Sequence, residues 1–263
     1  MIDFHTHSGF SYDNGPVSMD EMARAALSAG VTDLAITDHY DPFFPDMPAE
    51  LDFPRYAEAL ARVKEKYEGR LRIAAGIELG LQPGRALELC RAAVEAYDFD
   101  FVLGSVHAVD GYGLHTYAYE RSRSLLHTKI DYYTSLLACI REFDGFNVLG
   151  HLNVVDRYTP PLGQNDEVDG LIDEIFGVLI SRGQGIEINT SSLRAGGPDP
   201  MPPAGRVKRF AELGGTIVTT ASDAHDPRHI GTHIQNAERI AKSAGISSIA
   251  IFEKRRVSAT KTL

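Results

Sequence analysis

Basic residues are in short supply. The 263 residues carry 26 Lys and Arg against 36 Asp and Glu, a formal charge of −10, with an isoelectric point near 5.4. A protein that grips nucleic acid through many phosphates needs the opposite balance, so a long nucleic-acid track is excluded. Cysteine is nearly absent. Cys90 and Cys139 both fall in apolar, helix-like stretches. Two thiols so placed make no disulfide framework; they read as buried free thiols, which suits a reducing cytoplasm. No apolar run reaches the roughly 18 residues of a membrane span. The start, Met1-Ile2-Asp3-Phe4-His5, has neither a basic nor an apolar leader region, so no signal peptide is expected. Internal repeats, low-complexity segments and long linkers are also missing.

What is present is ordinary in bulk. The hydrophobic fraction of 43% is that of a globular chain, and the length suits one α/β barrel-sized domain spanning residues 1–263. Short runs rich in β-branched residues alternate with helix-period runs. The strand candidates are Ile2–His5, Asp33–Thr37, Leu71–Glu78, Phe101–His107, Asn147–His151, Gly185–Asn189 and Thr216–Ser222. Helices are expected between them. Ser18-Met19-Asp20-Glu21 is a capping box and Gly30 closes that helix. Others are read at Pro54–Glu68, Arg85–Tyr97, Lys129–Phe143, Glu167–Ser181, Gly205–Leu213 and Asn236–Ala244. This alternation predicts a parallel sheet covered by helices, closed or nearly closed into a barrel. Ser248–Phe252 reads as an extra strand. The proline-rich stretches Asp41–Pro54 and Ala195–Pro203 follow strands, where barrel active-site loops occur.

The chemistry lies in the histidines. His5 and His7 form a His-x-His pair at the end of the first strand, and residues i and i+2 of an extended segment point to one face. The second strand ends at Asp38-His39, the third at Glu78, the fourth at His107, the fifth at His151, and the seventh at Asp223-Ala224-His225. Six of seven predicted strands thus end in a potential metal ligand. A lone histidine at a strand end is usually a hydrogen-bonded structural residue. Barrel strands converge at their C-terminal face, however, and so many titratable groups brought together need divalent ions to satisfy them. Imidazole with carboxylate suits zinc, iron or manganese better than calcium or magnesium. Nine candidate ligands, counting Asp13 in the loop after His7, exceed the needs of one ion and imply two or three. Bound cations would also let an acidic protein take an anionic substrate.

From His5 to His225 these residues resemble, in order and spacing, the polymerase-and-histidinol-phosphatase (PHP) superfamily of metal-dependent phosphoesterases. The resemblance implies a distorted (β/α)7 barrel and a trinuclear pattern. One ion would use His5, His7, Glu78 and Asp223. A second would share Glu78 and use His107 and His151. A third would use His39 and His225, with Asp13 at a position where the family commonly has histidine. Within the superfamily the chain is similar to the PHP-type histidinol-phosphate phosphatases. The stretches that carry this are Gly104–His107, Gly150-His151-Leu152 with Arg157-Tyr158, Glu187–Arg194, and Phe252–Arg255. That likeness implies a small phosphorylated metabolite as substrate, with Arg157 and Arg194 on its phosphate, in histidine biosynthesis. It implies catalysis by these arginines, with the leaving group receiving a cation from the third ion or a proton from Asp223 or His225 acting through water. Arginine suits the task because its planar fork meets two phosphate oxygens.

Other readings are a mononucleotide phosphoesterase, a metal-binding regulatory module, and an amidohydrolase. The regulatory module would lack the arginines, and the amidohydrolase would need a strand-end lysine that is absent. His115, His127, His229 and His233 match no motif, although His115 lies in an insertion-like stretch, Asp110–Glu120, that would reach substrate. Asp38 and Asp41 are candidates, by charge alone, for the cationic end of the substrate. No nucleic-acid or membrane partner is expected, and the oligomeric state is open.

Overall fold

The computed structural model describes residues 1–45, 50–116 and 123–263. Parts of two stretches singled out above, residues 46–49 and 117–120, lie outside the described residues. Parallel strands β1 (Ile2–Asp3), β2 (Asp33–Ile36), β4 (Arg72–Gly80), β5 (Phe101–Ser105), β8 (Val148–Leu149), β9 (Gly185–Asn189) and β10 (Val218–Ala221) pair in that order. The last strand returns to the first. The amide of Phe4 donates to the carbonyl of Thr220 (2.9 Å), Thr6 bridges Ala224, and the amide of His7 donates to the Ala224 carbonyl (2.9 Å). The sheet therefore closes into a distorted (β/α)7 barrel.

Helices α1 (Met19–Ala29), α2 (Phe53–Tyr67), α3 (Arg85–Ala96), α4 (Leu125–Glu142), α5 (Asp166–Ser181), α6 (Ser191–Arg194), α7 (Ala204–Glu212) and α8 (Ile234–Ser243) fall between or after the strands. The local signals act as read. Ser18 and Glu21 form the capping box of α1, and Gly30 ends it at φ 75°. Tyr56, Leu60, Val63 and Tyr67 of α2 recur every three or four residues and are buried. Each is worth roughly 1.5–3 kcal/mol relative to exposure. Cys90 and Cys139 are buried and free. Among the described residues no helix is long and apolar enough to cross a membrane.

Three features depart from the sequence reading, and two of them shape the site. Five of the seven barrel strands, all but β4 and β9, are shorter than expected, so most of the candidate ligands sit just past them. The second strand is broken. After Ile36 the chain turns through Thr37 and Asp38, whose amides donate to the Thr6 carbonyl (2.8 Å) and to the Tyr56 hydroxyl (3.2 Å). It then resumes pairing with β4 as β3 (His39–Tyr40), in a register that sets His39 opposite Glu78. Third, the extra strand is β11 (Ser248–Glu253), but it pairs antiparallel with β12 (Arg256–Thr262) and not with the barrel. Lys254 and Arg255, both at positive φ, make its turn. That turn rests on Asp100 and Asn147, which precede β5 and β8, and so braces the end of the barrel away from the histidines.

Candidate metal centre

His5, Thr6 and His7 stay extended because Thr6 bridges Ala224, so both imidazoles point into the barrel mouth, their ring centroids 4.9 Å apart. Glu78, on β4 and fully buried, stands between two groups of nitrogens. Its Oε2 lies 3.0 Å from Nε2 of His5, 3.6 Å from Nε2 of His7 and 3.0 Å from Nδ1 of His39. Its Oε1 lies 3.3 Å from Nε2 of His107 and 3.0 Å from Nε2 of His151. Asp223 is two-sided as well. Its Oδ1 faces His7 (3.4 Å) and His5 (3.8 Å), while its Oδ2 accepts from Arg157 (3.2 Å), Ser191 (3.1 Å) and Asn189 (3.3 Å). Asp223 is also held at φ 53°, a region that non-glycine residues seldom adopt. At the rim, Asp13 Oδ2 lies 3.1 Å from Nε2 of His225 and 3.5 Å from Nε2 of His39. All nine residues singled out as ligands therefore converge.

The donor set fits divalent ions. His5, His7 and Asp223 form one group whose ligand atoms lie within 4.8 Å of one another; His5, Glu78 and His151 form another, and His7, His39 and His225 a third. The buried Nε2 of His7 has no hydrogen-bond partner although two carboxylates face it, as expected of atoms gathered around a shared point. The electrostatics agree. Burial pushes the Glu78 carboxyl up, but His5, His39 and His107 more than reverse this and hold it well below the usual carboxylate range. Burial likewise depresses His107, yet Asp41 and Glu78 raise it to about 9. His7 goes the other way, lowered by burial and by His225 and His39 beside it. Without metal, protonated histidines supply the positive charge; metal binding would displace those protons.

A cleft of about 270 Å³ opens onto this cluster. Tyr12, Phe44, Leu114, His115, Val154 and Tyr158 line it together with His39, His107, His151, His225, Asp13, Asp223 and Arg157. His115, which matched no motif, thus does face the site, stacked against Phe44 at 5.6 Å. His229 and His233 are not among the lining residues. The two arginines differ. Arg157 lines the cleft with Nη2 on Ser191 (2.7 Å), whereas Arg194 donates to the carbonyls of Ser222 (2.6 Å) and Asp223 (3.2 Å). Asp38 is not available to any substrate. It is fully buried and accepts from the Ser8 amide and the hydroxyls of Ser8 and Ser11, which pins the His7–Ser11 loop. Asp41 is buried too, against His107 and His39.

Sequence reasoning gave no role to Glu187. Its Oε1 lies 2.6 Å from Nδ1 of His5, and its Oε2 accepts from the His151 amide (2.8 Å) and Asn189 (3.0 Å). It therefore fixes the ring of one candidate ligand and the backbone of another, as outer carboxylates of metal sites do. The signal was a glutamate alternating with isoleucines in an otherwise apolar strand, Gly185–Asn189.

A family model, the PHP domain, matches residues 3–191. The histidinol-phosphatase of Lactococcus lactis is 26% identical over 274 residues, covering 99% of this chain and 97% of the relative. A Thermotoga maritima protein named "probable histidinol-phosphatase" is 28% identical, covering 98% of each. Among solved structures, the L. lactis histidinol phosphate phosphatase complexed with zinc, L-histidinol and phosphate superposes with a TM-score of 0.90 at 24% identity, covering 98% of both chains. That likeness is one of fold.

Proposed function

The chain belongs to the PHP domain family, and from that premise we propose that it hydrolyses L-histidinol phosphate to L-histidinol and phosphate, a step of histidine biosynthesis, as a metal-dependent phosphomonoesterase. The observation that carries the chemistry is the two-sided Asp223: one oxygen faces the metal-ligand histidines, the other holds Arg157 at the cleft. End-to-end similarity to a histidinol-phosphatase supports the substrate. The continuous core supports residues 1–263 acting as one domain.

Two to three ions, zinc first and iron or manganese as alternatives, fit the donors. His5, His7, Glu78 and Asp223 would hold one, Glu78, His107 and His151 a second, and Asp13, His39 and His225 a third. Bound there, such ions neutralise phosphate oxygens and lower the pKa of a coordinated water toward neutrality. The chain does the rest. Arg157 presents its fork to the phosphate and is aimed by Asp223 and Ser191. Arg194 ties down the Asp223 backbone beside it. The walls, from Tyr12 and Phe44 to Tyr158, exclude water and admit a compact monoester rather than a polymer. Both oxygens of Asp223 are engaged, and Asp13 and His225 would hold the third ion, so a water at that rim would be the source of the proton for the leaving oxygen.

The test is a panel of histidinol phosphate, mononucleotides, phosphotyrosine and an aryl phosphate on metal-replete protein. Histidinol phosphate should exceed each of the others in kcat/KM by about 100-fold or more, as expected where polar groups match one leaving group. A better rate on a mononucleotide or phosphotyrosine would overturn the substrate and leave the metal centre standing. The third site gives a separate expectation. The Asp13 side chain is 37% exposed and, among the described residues, pairs with His225 and His39 at the rim. Asp13→Ala should keep two ions by elemental analysis and lose about tenfold or less in kcat, roughly 1.4 kcal/mol of barrier. Loss of all ions would show that this site is not peripheral.

A further inference from the structure

Asp41 is 1% exposed and lies between two candidate ligands of different ions. Its Oδ1 is 2.7 Å from Nδ1 of His107, and its Oδ2 is 3.3 Å from Nδ1 of His39. Space for the carboxylate exists only because β4 ends in glycine: a Cβ on Gly80 would sit 1.7 Å from Asp41 Oδ1. The turn carrying Asp41 is tied back on both sides, by the Phe44 amide on the Asp41 carbonyl (3.1 Å) and by Gln82 Nε2 on the Pro42 carbonyl (3.0 Å). A desolvated carboxylate so closely accommodated is costly to keep unless it has work to do.

Imidazole chemistry supplies that work. Neutral imidazole carries its proton on one nitrogen and ligates with the other. With Nδ1–H of His107 donating to Asp41, the lone pair is left on Nε2, which faces Glu78 at 3.3 Å and His151 at 3.4 Å. His39 is not tied to this carboxylate in the same way: its Nδ1 lies 3.3 Å from Oδ2 but 3.0 Å from Glu78 Oε2, neither Nδ1 nor Asp41 Oδ2 has a hydrogen-bond partner among the described residues, and Nε2 is 3.5 Å from Asp13. We propose that Asp41 is a positioning residue that sets the ligating tautomer of His107, and thereby the affinity of the second ion site. This rests on the metal centre proposed above. Asparagine in its place would keep the shape but offer one accepting oxygen and one amide NH2. With its oxygen toward Nδ1 of His107 it would be a weaker, uncharged acceptor; with its NH2 there it would drive the His107 proton to Nε2, and the ring would lose its place as a ligand.

The test is a chelator-competition titration of zinc-loaded protein, comparing wild type with Asp41→Asn and Gly80→Ala. The affinity for at least one zinc should fall about 10- to 100-fold in both variants, the range seen when an outer-sphere partner of a ligating histidine is removed. One zinc, at His5, His7, Glu78 and Asp223, should keep its affinity. Long-range 1H–15N spectra should show His107 protonated on Nδ1 in wild type, with its Nδ1 signal changed in Asp41→Asn. Because asparagine is isosteric, this variant carries the test even if Gly80→Ala does not fold. Unchanged zinc affinities and tautomers in Asp41→Asn would overturn the proposal. So would X-ray absorption or a crystal structure showing an Asp41 oxygen bound directly to zinc. A wild-type chain that holds no zinc would instead remove the metal centre itself, which keeps the two failures apart.

Discussion

Glu78→Gln should leave a folded barrel that no longer holds its ions together. Glu78 touches five histidines, three through one oxygen and two through the other. Among the described residues no other carboxylate faces ring nitrogens of both the His5–His7 pair and the His107–His151 pair. Glutamine keeps the volume but replaces one acceptor by a donor, so one group of nitrogens loses its anionic partner and meets an NH2. Fully buried, that NH2 has no water to turn to. Metal content should drop by at least one equivalent by elemental analysis. The rise in Tm that zinc gives the wild type should shrink, since a ligand stabilises only the state that binds it. Activity should fall by about 1,000-fold or more, because the loss touches both ions that would flank the reacting phosphate, and this corresponds to at least about 4 kcal/mol of barrier. Retention of every ion with activity within tenfold of wild type would show that Glu78 is a buried acceptor for histidine protons and nothing more.

The convergence of the candidate ligands was legible from the sequence because residue type and position both carried it. Every candidate ligand but Asp13 lies at or just past the end of a short apolar run, and parallel strands in a barrel bring such ends together whatever the loops between them do. The positioning shell was less so. Asp41 acts on His107, and Glu187 acts on His5, across 66 and 182 residues of chain. No local pattern encodes that separation; it follows from strand order and from which way each side chain turns. Asp41 in particular depends on the break at Thr37 and Asp38, which exists because Thr6 and Tyr56 take the amides a continuous strand would have used. The hairpin β6 (Ala108–Val109) and β7 (Tyr112–Gly113) was readable, since Asp110-Gly111 at positive φ is a strong two-residue turn signal. Strand β12 was not. It is mostly exposed, alternates little, and is entered through Lys254 and Arg255, residues that do not advertise such a turn.

Arg157→Ala should cost more than Arg194→Ala, although the sequence treats the two arginines alike. Arg157 lines the cleft and its side chain is 35% exposed, so its free N–H groups can reach an anion there. Arg194 already spends both terminal nitrogens on the carbonyls of Ser222 and Asp223. Losing a charge-assisted phosphate contact that strengthens in the transition state should lower kcat/KM of Arg157→Ala by about 100- to 1,000-fold, roughly 2.7–4 kcal/mol. Arg194→Ala should lose about tenfold, roughly 1.4 kcal/mol. Arg157→Lys should recover only part of the loss, because an ammonium is a point charge without the fork. Metal content should stay at wild-type level in each. Asp223 Oδ2 keeps Ser191 and Asn189 as donors when Arg157 is removed, so its other oxygen remains aimed at His5 and His7. Inhibition by inorganic phosphate reads the same contact without a leaving group, and its Ki should rise in Arg157→Ala. An unchanged Ki, or a loss of ions alongside activity, would mean that Arg157 serves to hold Asp223 and that the phosphate is held elsewhere.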